Sequence, residues 1–362
     1  MREARIGEIT ISDYSPVFIT LEAGPTHNGI ESAKKLIDIA KADKANAVKF
    51  QMFDADKLVS DKNQKFSYKI LKSQNPYEIE EVEENLFDLL QRRCLTHSEW
   101  KELGDYASKK NINLFMTVGE KEDIELSKEI GVSSIKIASA DCNYLALLKY
   151  AAKTNLCVQL DTGNSTIGDI ELAVKTLEKN GCKNIIIHHC PSGYPARLDS
   201  IDLRMINELR KHFPNIPIAY SDHTPDIDMD IAAVALGVNL IEKTISESRL
   251  TPSVEHIFAL EPGECLEMIK RLEDVRTALG SKNRELTEVL INKRKMLRRS
   301  PYAAHDIKKG TILNESMFEM RRPEKSIPAE FSLKLIGLKI NKSIKKGQAL
   351  NKEFFDFFED LS

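Results

Sequence analysis

Side chains able to hold an anion, move a proton or bind a cation recur along this chain at the points where short apolar runs end. Glu22 closes the run from Phe18, and Lys49 and Gln51 close the run from Ala47. Thr117 ends the next. Lys136 is followed by Ser139, Asp141 and Asn143, and then comes Asp161-Thr162-Gly163-Asn164. His188-His189-Cys190-Pro191-Ser192-Gly193-Tyr194-Pro195, Ser221-Asp222-His223-Thr224 and Glu242-Lys243 complete the series. Two lysines with several hydroxyls suit a small polyanion carrying phosphate and carboxylate, the lysines acting as point charges. A phosphate group alone brings about −1.5 to −2 charges.

Such residues need a scaffold that aims them at one place. Phe18–Glu22, a Gly/Pro loop, a segment with Ala33, Leu36, Ile37 and Ala40 on one face, and Ala47–Gln51 together predict a βαβ unit. Parallel strands joined this way have a right-handed crossover, and ligands sit where the strands exit. Further strands are predicted at Ile112–Thr117, Ser134–Ile137, Cys157–Leu160, Asn184–His189, Ile216–Tyr220 and Val238–Glu242. Amphipathic segments between them predict helices at Glu122–Ile130, Tyr144–Ala152, Ile167–Lys179, Ile201–His212 and Ile227–Leu236, with a last one at Glu264–Leu279. Eight βα units in about 280 residues have the rhythm of a (β/α)8 TIM barrel. A doubly wound open sheet is the alternative, though no GxGxxG follows the first strand. Residues 6–16 read as a short lead-in, 53–76 as an irregular lid or insertion, and 80–109 as helical.

The net charge of −3 argues against nucleic acid as the main partner. No apolar run is long enough for a bilayer, no signal-peptide core follows Met1, and the six scattered cysteines fit a reducing cytoplasm. Composition shifts near Gly280-Ser281-Lys282-Asn283, giving a catalytic domain over 1–282 and a second domain over 283–362. The second carries an internal repeat. Asp306-Ile307-Lys308-Lys309-Gly310 is echoed by Ser343-Ile344-Lys345-Lys346-Gly347, which predicts a small pseudo-symmetric β-rich domain.

Glu22-Ala23-Gly24-Pro25-Thr26-His27-Asn28-Gly29, Val48-Lys49-Phe50-Gln51, Ile135-Lys136-Ile137-Ala138-Ser139, His189-Cys190 with Tyr194-Pro195, and Ser221-Asp222-His223-Thr224 resemble the sialic acid synthase family in order. The tail resembles that family's antifreeze-like (SAF) domain. The resemblance implies condensation of phosphoenolpyruvate with the open-chain aldehyde of an N-acylated hexosamine, then addition of water and loss of phosphate. It implies that Lys49, Gln51, Thr117, Lys136, Ser139, Ser192 and Ser221 contact phosphoenolpyruvate, and that Glu22 and Tyr194 face the sugar. Glu255 joins the substrate contacts. Glu22, Asp141 and Glu242 are the catalytic candidates, and Arg322 is expected to reach the sugar site of the partner subunit in a domain-swapped homodimer.

Three departures from the family pattern stand out. The implied divalent metal, Mn²⁺ or Mg²⁺, would be held by His223 and Glu242, but Thr244 stands where a second histidine ligand is usual. Metal binding is therefore expected to be weak or dispensable, with Glu255 and His256 able to complete a site. Asp161 replaces a serine near the phosphate. Like charges at about 4 Å and an effective dielectric near 20 repel by about 4 kcal/mol, so Asp161 must pair with lysine, hold a metal, turn away or be protonated. Val118-Gly119-Glu120 alters the sugar-side wall and leaves the acceptor open.

Blander readings hold elsewhere: His27 shapes its loop, His188 points outward, His189 packs under the site, and Trp100 packs in the core. Two other functions compete, a catalytically silent sugar-binding barrel and a pyruvate aldolase forming a Schiff base through Lys136.

Overall fold

The computed structural model describes residues 2–281 and 283–356, so the boundary expected at residue 282 falls outside the described residues. The chain divides into two compact units, Met1–Gly280 and Ser281–Ser362.

In the first unit eight parallel strands close a barrel in sequence order. They are β1 (Phe18–Glu22), β2 (Ala47–Gln51), β3 (Asn113–Thr117), β4 (Ser134–Ile137), β5 (Cys157–Asp161), β6 (Ile185–His189), β7 (Ile218–Asp222) and β8 (Leu240–Thr244). A helix follows each: α1 (Ile30–Ala42), α2 (His97–Lys110), α3 (Lys121–Glu129), α4 (Leu145–Ala151), α5 (Ile167–Lys179), α6 (Met205–His212), α7 (Asp228–Ala235) and α8 (Glu264–Leu279). Closure rules out the open sheet. The period-3.6 stripe of α1 buries Ala33, Leu36, Ile37 and Ala40 against the outer wall, as its spacing predicts.

Period-two alternation sorts the strand residues into an outer apolar face and an inner face. At the bottom the inner face is apolar: Phe18, Ala47, Phe115, Cys157, Ile186, Ala219 and Leu240 form one cluster with Ala4, Ile6 and Ile11. Those three belong to an antiparallel hairpin, Glu3–Ile6 with Ile9–Ser12, which seals the barrel floor. The expected lead-in is thus a plug, and the inner polar residues are left at the opposite end.

Two other expectations are corrected. Residues 65–85 form a long antiparallel hairpin, Lys65–Gln74 with Tyr77–Asn85, followed by a short helix, Leu86–Gln91. The glutamates from Glu80 to Glu84 read as helical, but pairing with the preceding strand wins. Tyr68 packs with Leu89 and Val254, and Leu71 packs with Ile257 and Phe258, tying the hairpin to the loop after β8. Strands β7 and β8 also begin and end two residues later than predicted, so Ser221 and Glu242 lie within them, side by side in register.

All six cysteines are free thiols, and no helix among the described residues is long and apolar enough to cross a membrane.

The second unit packs around Ala303, Ile307, Leu313, Ile327, Leu335, Ile340, Ile344 and Leu350. The two repeat copies pair with each other at equivalent positions. Ile307 and Ile344 exchange N–H···O bonds of 2.8 Å, while Lys309 N–H donates to Ser343 Oγ and Lys346 N–H to Asp306 Oδ1. Arg322 is exposed and follows a short hairpin, Ser300–Ala303 with Phe318–Arg321.

Candidate active site

Inside the upper barrel the two strand-end lysines converge on one carboxylate oxygen. Glu242 Oε1 lies 2.7 Å from Lys136 Nζ and 2.9 Å from Lys49 Nζ, and accepts a hydrogen bond of 3.1 Å from Ser221 Oγ. Lys49 also meets Glu22 at 2.5 Å and donates to Thr117 Oγ1 at 3.1 Å. Lys136 also meets Asp161 at 2.9 Å and donates to Ser221 Oγ at 3.3 Å. Each ammonium therefore has three partners, which matches its three N–H donors. The lysines are 3% and 1% exposed, so solvent does little to weaken these pairs. Five strands, β1, β2, β4, β5 and β8, supply the five charges.

Glycine makes part of this convergence possible. A Cβ on Gly24 would stand 2.5 Å from Gln51 Cγ and 2.8 Å from Glu22 Oε1. With no side chain there, Gln51 Nε2 donates to Glu22 Oε2 and Gly24 N–H donates to Glu22 Oε1. Gly163 plays the same part between β5 and β6, where a Cβ would lie 2.7 Å from Cys190 O. Ser192 Oγ, carried into that gap, donates to Gly163 O and meets Asn164 Oδ1.

The environment drives the carboxyls apart. Burial works to raise Glu242, but the Lys136 and Lys49 charges outweigh it and hold the group well below the usual carboxylate range. Lys49 is opposed by burial too, yet Glu22, Glu242 and Asp161 keep it well above the normal ammonium value. Burial raises Asp161, and Lys136 only partly offsets that. Its pairing with Lys136 fulfils one of the four ways out for a carboxylate near a phosphate site, while Asp161 Oδ1 stays buried without a hydrogen-bond partner. Glu255 is pushed up to about 8 by burial and by Glu22. It accepts from Thr244 Oγ1 at 3.1 Å and holds a left-handed backbone, φ 70°, a costly conformation for a residue with a Cβ.

Other predicted residues stand apart from the charged cluster. Asp141 lies in a 3₁₀ turn with Ser139, and its carboxyl is raised by burial and Glu120; among the described residues it forms no ion pair. Ser139 Oγ accepts from Asn164 Nδ2 at 3.5 Å. Tyr194 lays its ring 4.6 Å from that of His223. His188 is corrected: because Ile186 belongs to the inner floor, alternation turns His188 inward, where Nε2 meets Gln159 Oε1 at 2.7 Å. His189 faces the helix layer, bonded to Ile201 O and packed on Tyr220. Lys243 also leaves the mouth. It is fully buried outside the wall against Asp222 and Asp230, donating to Thr224 O and Asp226 O, which fixes the loop carrying His223. Its place beside Glu242 at a strand end offered no hint of that inside-out ion pair.

The donors do not fit the implied metal. Among the described residues no group of three His, Cys, Asp or Glu side chains is placed to hold an ion. His223 is neutral, lowered to about 4 by burial and the Lys136 charge, with Nδ1 facing Pro191 O, so one imidazole nitrogen is available. Glu242, its expected co-ligand, already lies between two ammonium groups that repel a cation. Thr244 directs its hydroxyl to Glu255.

Comparison with known proteins places this arrangement. The model of the NeuB family matches residues 36–284, and that of the SAF domain matches residues 298–355. The chain is 33% identical to N,N'-diacetyllegionaminic acid synthase of Campylobacter jejuni over 92% of its own length and 98% of the relative's. It is 30% identical to N-acetylneuraminate-9-phosphate synthase of Homo sapiens, over 94% and 93%. The crystal structure of the N-acetylneuraminic acid synthetase of Leptospira borgpetersenii with citrate superposes with a TM-score of 0.70 at 30% identity, over 81% of this chain and 95% of that one.

Proposed function

The chain belongs to the NeuB family and carries a SAF domain, and on that premise we propose that it is a phosphoenolpyruvate-dependent nonulosonic acid synthase whose acceptor is an N-acylated hexosamine. The observation that carries this reading is the meeting of Lys49 and Lys136 on Glu242. Two ammonium groups in a barrel mouth, backed by Thr117 and Ser221, offer a phosphate and a carboxylate their counter-charges, the incoming anion replacing a protein carboxylate on each lysine. Gln51, Ser139 and Ser192 complete the enol phosphate contacts, and Glu22 and Tyr194 face the sugar.

The methylene carbon of phosphoenolpyruvate attacks the aldehyde carbon of the open-chain sugar. A C–C bond forms, the aldehyde oxygen takes a proton, and C2 becomes an oxocarbenium. Water adds at C2 with loss of a proton, and the C2–O bond to phosphate breaks, giving a nine-carbon 2-keto acid and inorganic phosphate. The split between the two glutamates suits the two proton transfers: Glu255 holds a proton at neutral pH, and Glu242 is ionised. We assign Glu255 as donor to the aldehyde oxygen and Glu242 as the carboxylate that steadies the cation and, made more basic once the enol phosphate has taken its place on the lysines, accepts the proton of the attacking water. Asp141 lies at the edge of this scheme and Glu22 orients the acceptor. No step is assigned to a metal, since the donors for one are not assembled. The partner subunit's Arg322 closes the sugar side in a domain-swapped homodimer, and the free cysteines suit a reducing cytoplasm.

A Schiff base through Lys136 requires a free lone pair, whereas all three donors of that ammonium have acceptors. Release of phosphate from phosphoenolpyruvate that depends on an N-acylated mannosamine, with a product mass equal to sugar plus pyruvate, tests the proposal. Borohydride trapping of pyruvate on the protein, without phosphate release, would replace it with the aldolase.

Asp161 gives a prediction of its own. An ionised Asp161 faces any phosphate on Lys136, and like charges at about 4 Å repel by about 4 kcal/mol at an effective dielectric near 20. Asp161→Ser is therefore expected to tighten phosphoenolpyruvate by about tenfold or more where the carboxyl is ionised, with a gain that shrinks as pH falls, because burial raises this carboxyl above its ordinary value. Calorimetric titration across a pH series measures this, and equal affinity of wild type and variant at every pH would show that Asp161 does not oppose the ligand.

A further inference from the structure

A second pocket, of about 260 Å³, lies beside the mouth between the loops after β1 and β8. Its lining includes His27, Asn28, Arg92, Arg93, Ser253 and His256, and none of its lining side chains is acidic. Arg92 is neutralised by Glu84, with both contacts at 2.8 Å. Arg93 is not: it is 7% exposed, its one side-chain hydrogen bond among the described residues goes to Ser253 Oγ, no carboxylate there lies within ion-pair distance, and Glu255 and Glu84 act on it only from further away. A guanidinium buried without a counter-charge in contact is costly unless an anion supplies one. His27 is a neutral imidazole whose ring nitrogens have no hydrogen bond of full geometry, and its single N–H, which faces the Gly29 backbone, can serve the same purpose by leaving it. The inserted hairpin and its following helix deliver Arg93 to this place, and the loop that carries Ser253 and His256 toward the pocket carries Glu255 toward the lysines.

We propose that this pocket is a second oxyanion site, separate from the lysine pair, in which Arg93, His27 and Ser253 hold a phosphate or carboxylate group. The anion is either a substituent on the acceptor sugar, an arm that rests on the synthase reading, or free phosphate. A guanidinium fork and neutral donors match the flat edge of either group. Calorimetry on the full chain tests it with three probes: inorganic phosphate, N-acetylmannosamine 6-phosphate and N-acetylmannosamine. Lys136→Met takes one of the two ammonium groups from the first anion site, so binding that persists in that variant and depends on Arg93 reports the second. There Arg93→Ala, added as a second change, is expected to weaken an anionic probe about ten- to hundredfold, the range for a hydrogen bond to a charged group, and to leave the neutral sugar unaffected. Sugar phosphate bound at least tenfold tighter than both other probes assigns the site to the acceptor, and equal binding of the two phosphates assigns it to the free anion. Anion binding that ignores Arg93, or no anion binding once Lys136 is gone, overturns the proposal. Should Arg93→Ala lose its fold, Arg93→Lys keeps the charge, loses the fork and reads the same preference through a smaller loss. Phosphate release from phosphoenolpyruvate is assayed separately, so a failed synthase reading with an intact Arg93 effect is distinguishable from the converse.

Discussion

Lys136→Met is expected to lower kcat/KM for phosphoenolpyruvate by about 10²- to 10³-fold, the loss of one buried, hydrogen-bonded charge partner of a dianionic ligand. The protein itself should suffer less than the usual ~3–5 kcal/mol for breaking a buried ion pair. Glu242 keeps Lys49 and Ser221, and Asp161, already inclined to hold a proton, takes one up once its ammonium is gone. Lys49→Met should be worse for folding. It strands Glu22 on one backbone N–H and the Gln51 amide, while Glu242 keeps Lys136 and Ser221. Steady-state kinetics with thermal melts of both variants checks the order. Equal catalytic efficiency in Lys136→Met and wild type would remove the two-lysine site from consideration.

Glu255→Gln is expected to change how stability depends on pH. The folded protein holds the Glu255 proton up to about pH 8, whereas an unfolded glutamate releases it near 4.5. The folded state therefore binds more protons between these values, and stability falls as pH rises. The contribution is complete below about 4.5 and gone above about 8, and at about 1.4 kcal/mol per pH unit it is on the order of 5 kcal/mol across the window. Glu242 has the opposite sign, its share being lost only as pH falls below the ordinary glutamate range, so it does not disguise the effect. Asp161 acts in the same direction as Glu255, so the variant should flatten the curve without levelling it. Denaturant titrations from pH 5 to 9 measure the slope, and parallel curves for wild type and Glu255→Gln would show that this carboxyl is ionised in the fold at neutral pH. The same variant keeps a hydrogen-bond donor but has no proton to give, so kcat should fall about 10²-fold, the typical share of a general acid, with KM little changed.

The barrel was legible because its signals are local. Each strand announces itself over five residues and each helix by one stripe, and α5 and α8 fall on the residues their periodicity marks. The exits were legible for the same reason, since a polar residue after an apolar run is a feature of neighbouring positions. The tail's symmetry was written twice in the chain, and Ile307 meets Ile344 as the repeat implies.

What failed to show in the sequence depends on partners distant along the chain. The glutamate-rich strand of the inserted hairpin carries helix-favouring residues, and only its pairing with Lys65–Gln74 makes it extended. His188 and Lys243 exchange the sides a reader would give them, because the floor layer at Ile186 and Leu240 sets the phase of β6 and β8. Arg93 looks like any surface arginine until the loop after β8 covers it.

The sequence by itself determined how many units wind into the barrel and which residues stand at its open end, since both follow from apolar spacing. Only the tertiary structure decided that Lys49 and Lys136 share Glu242, that Asp161 has a lysine, and that Glu255 retains its proton. Those outcomes come from burial and from charges brought within about 3 Å, where Coulomb energies of several kcal/mol outweigh any residue's intrinsic preference.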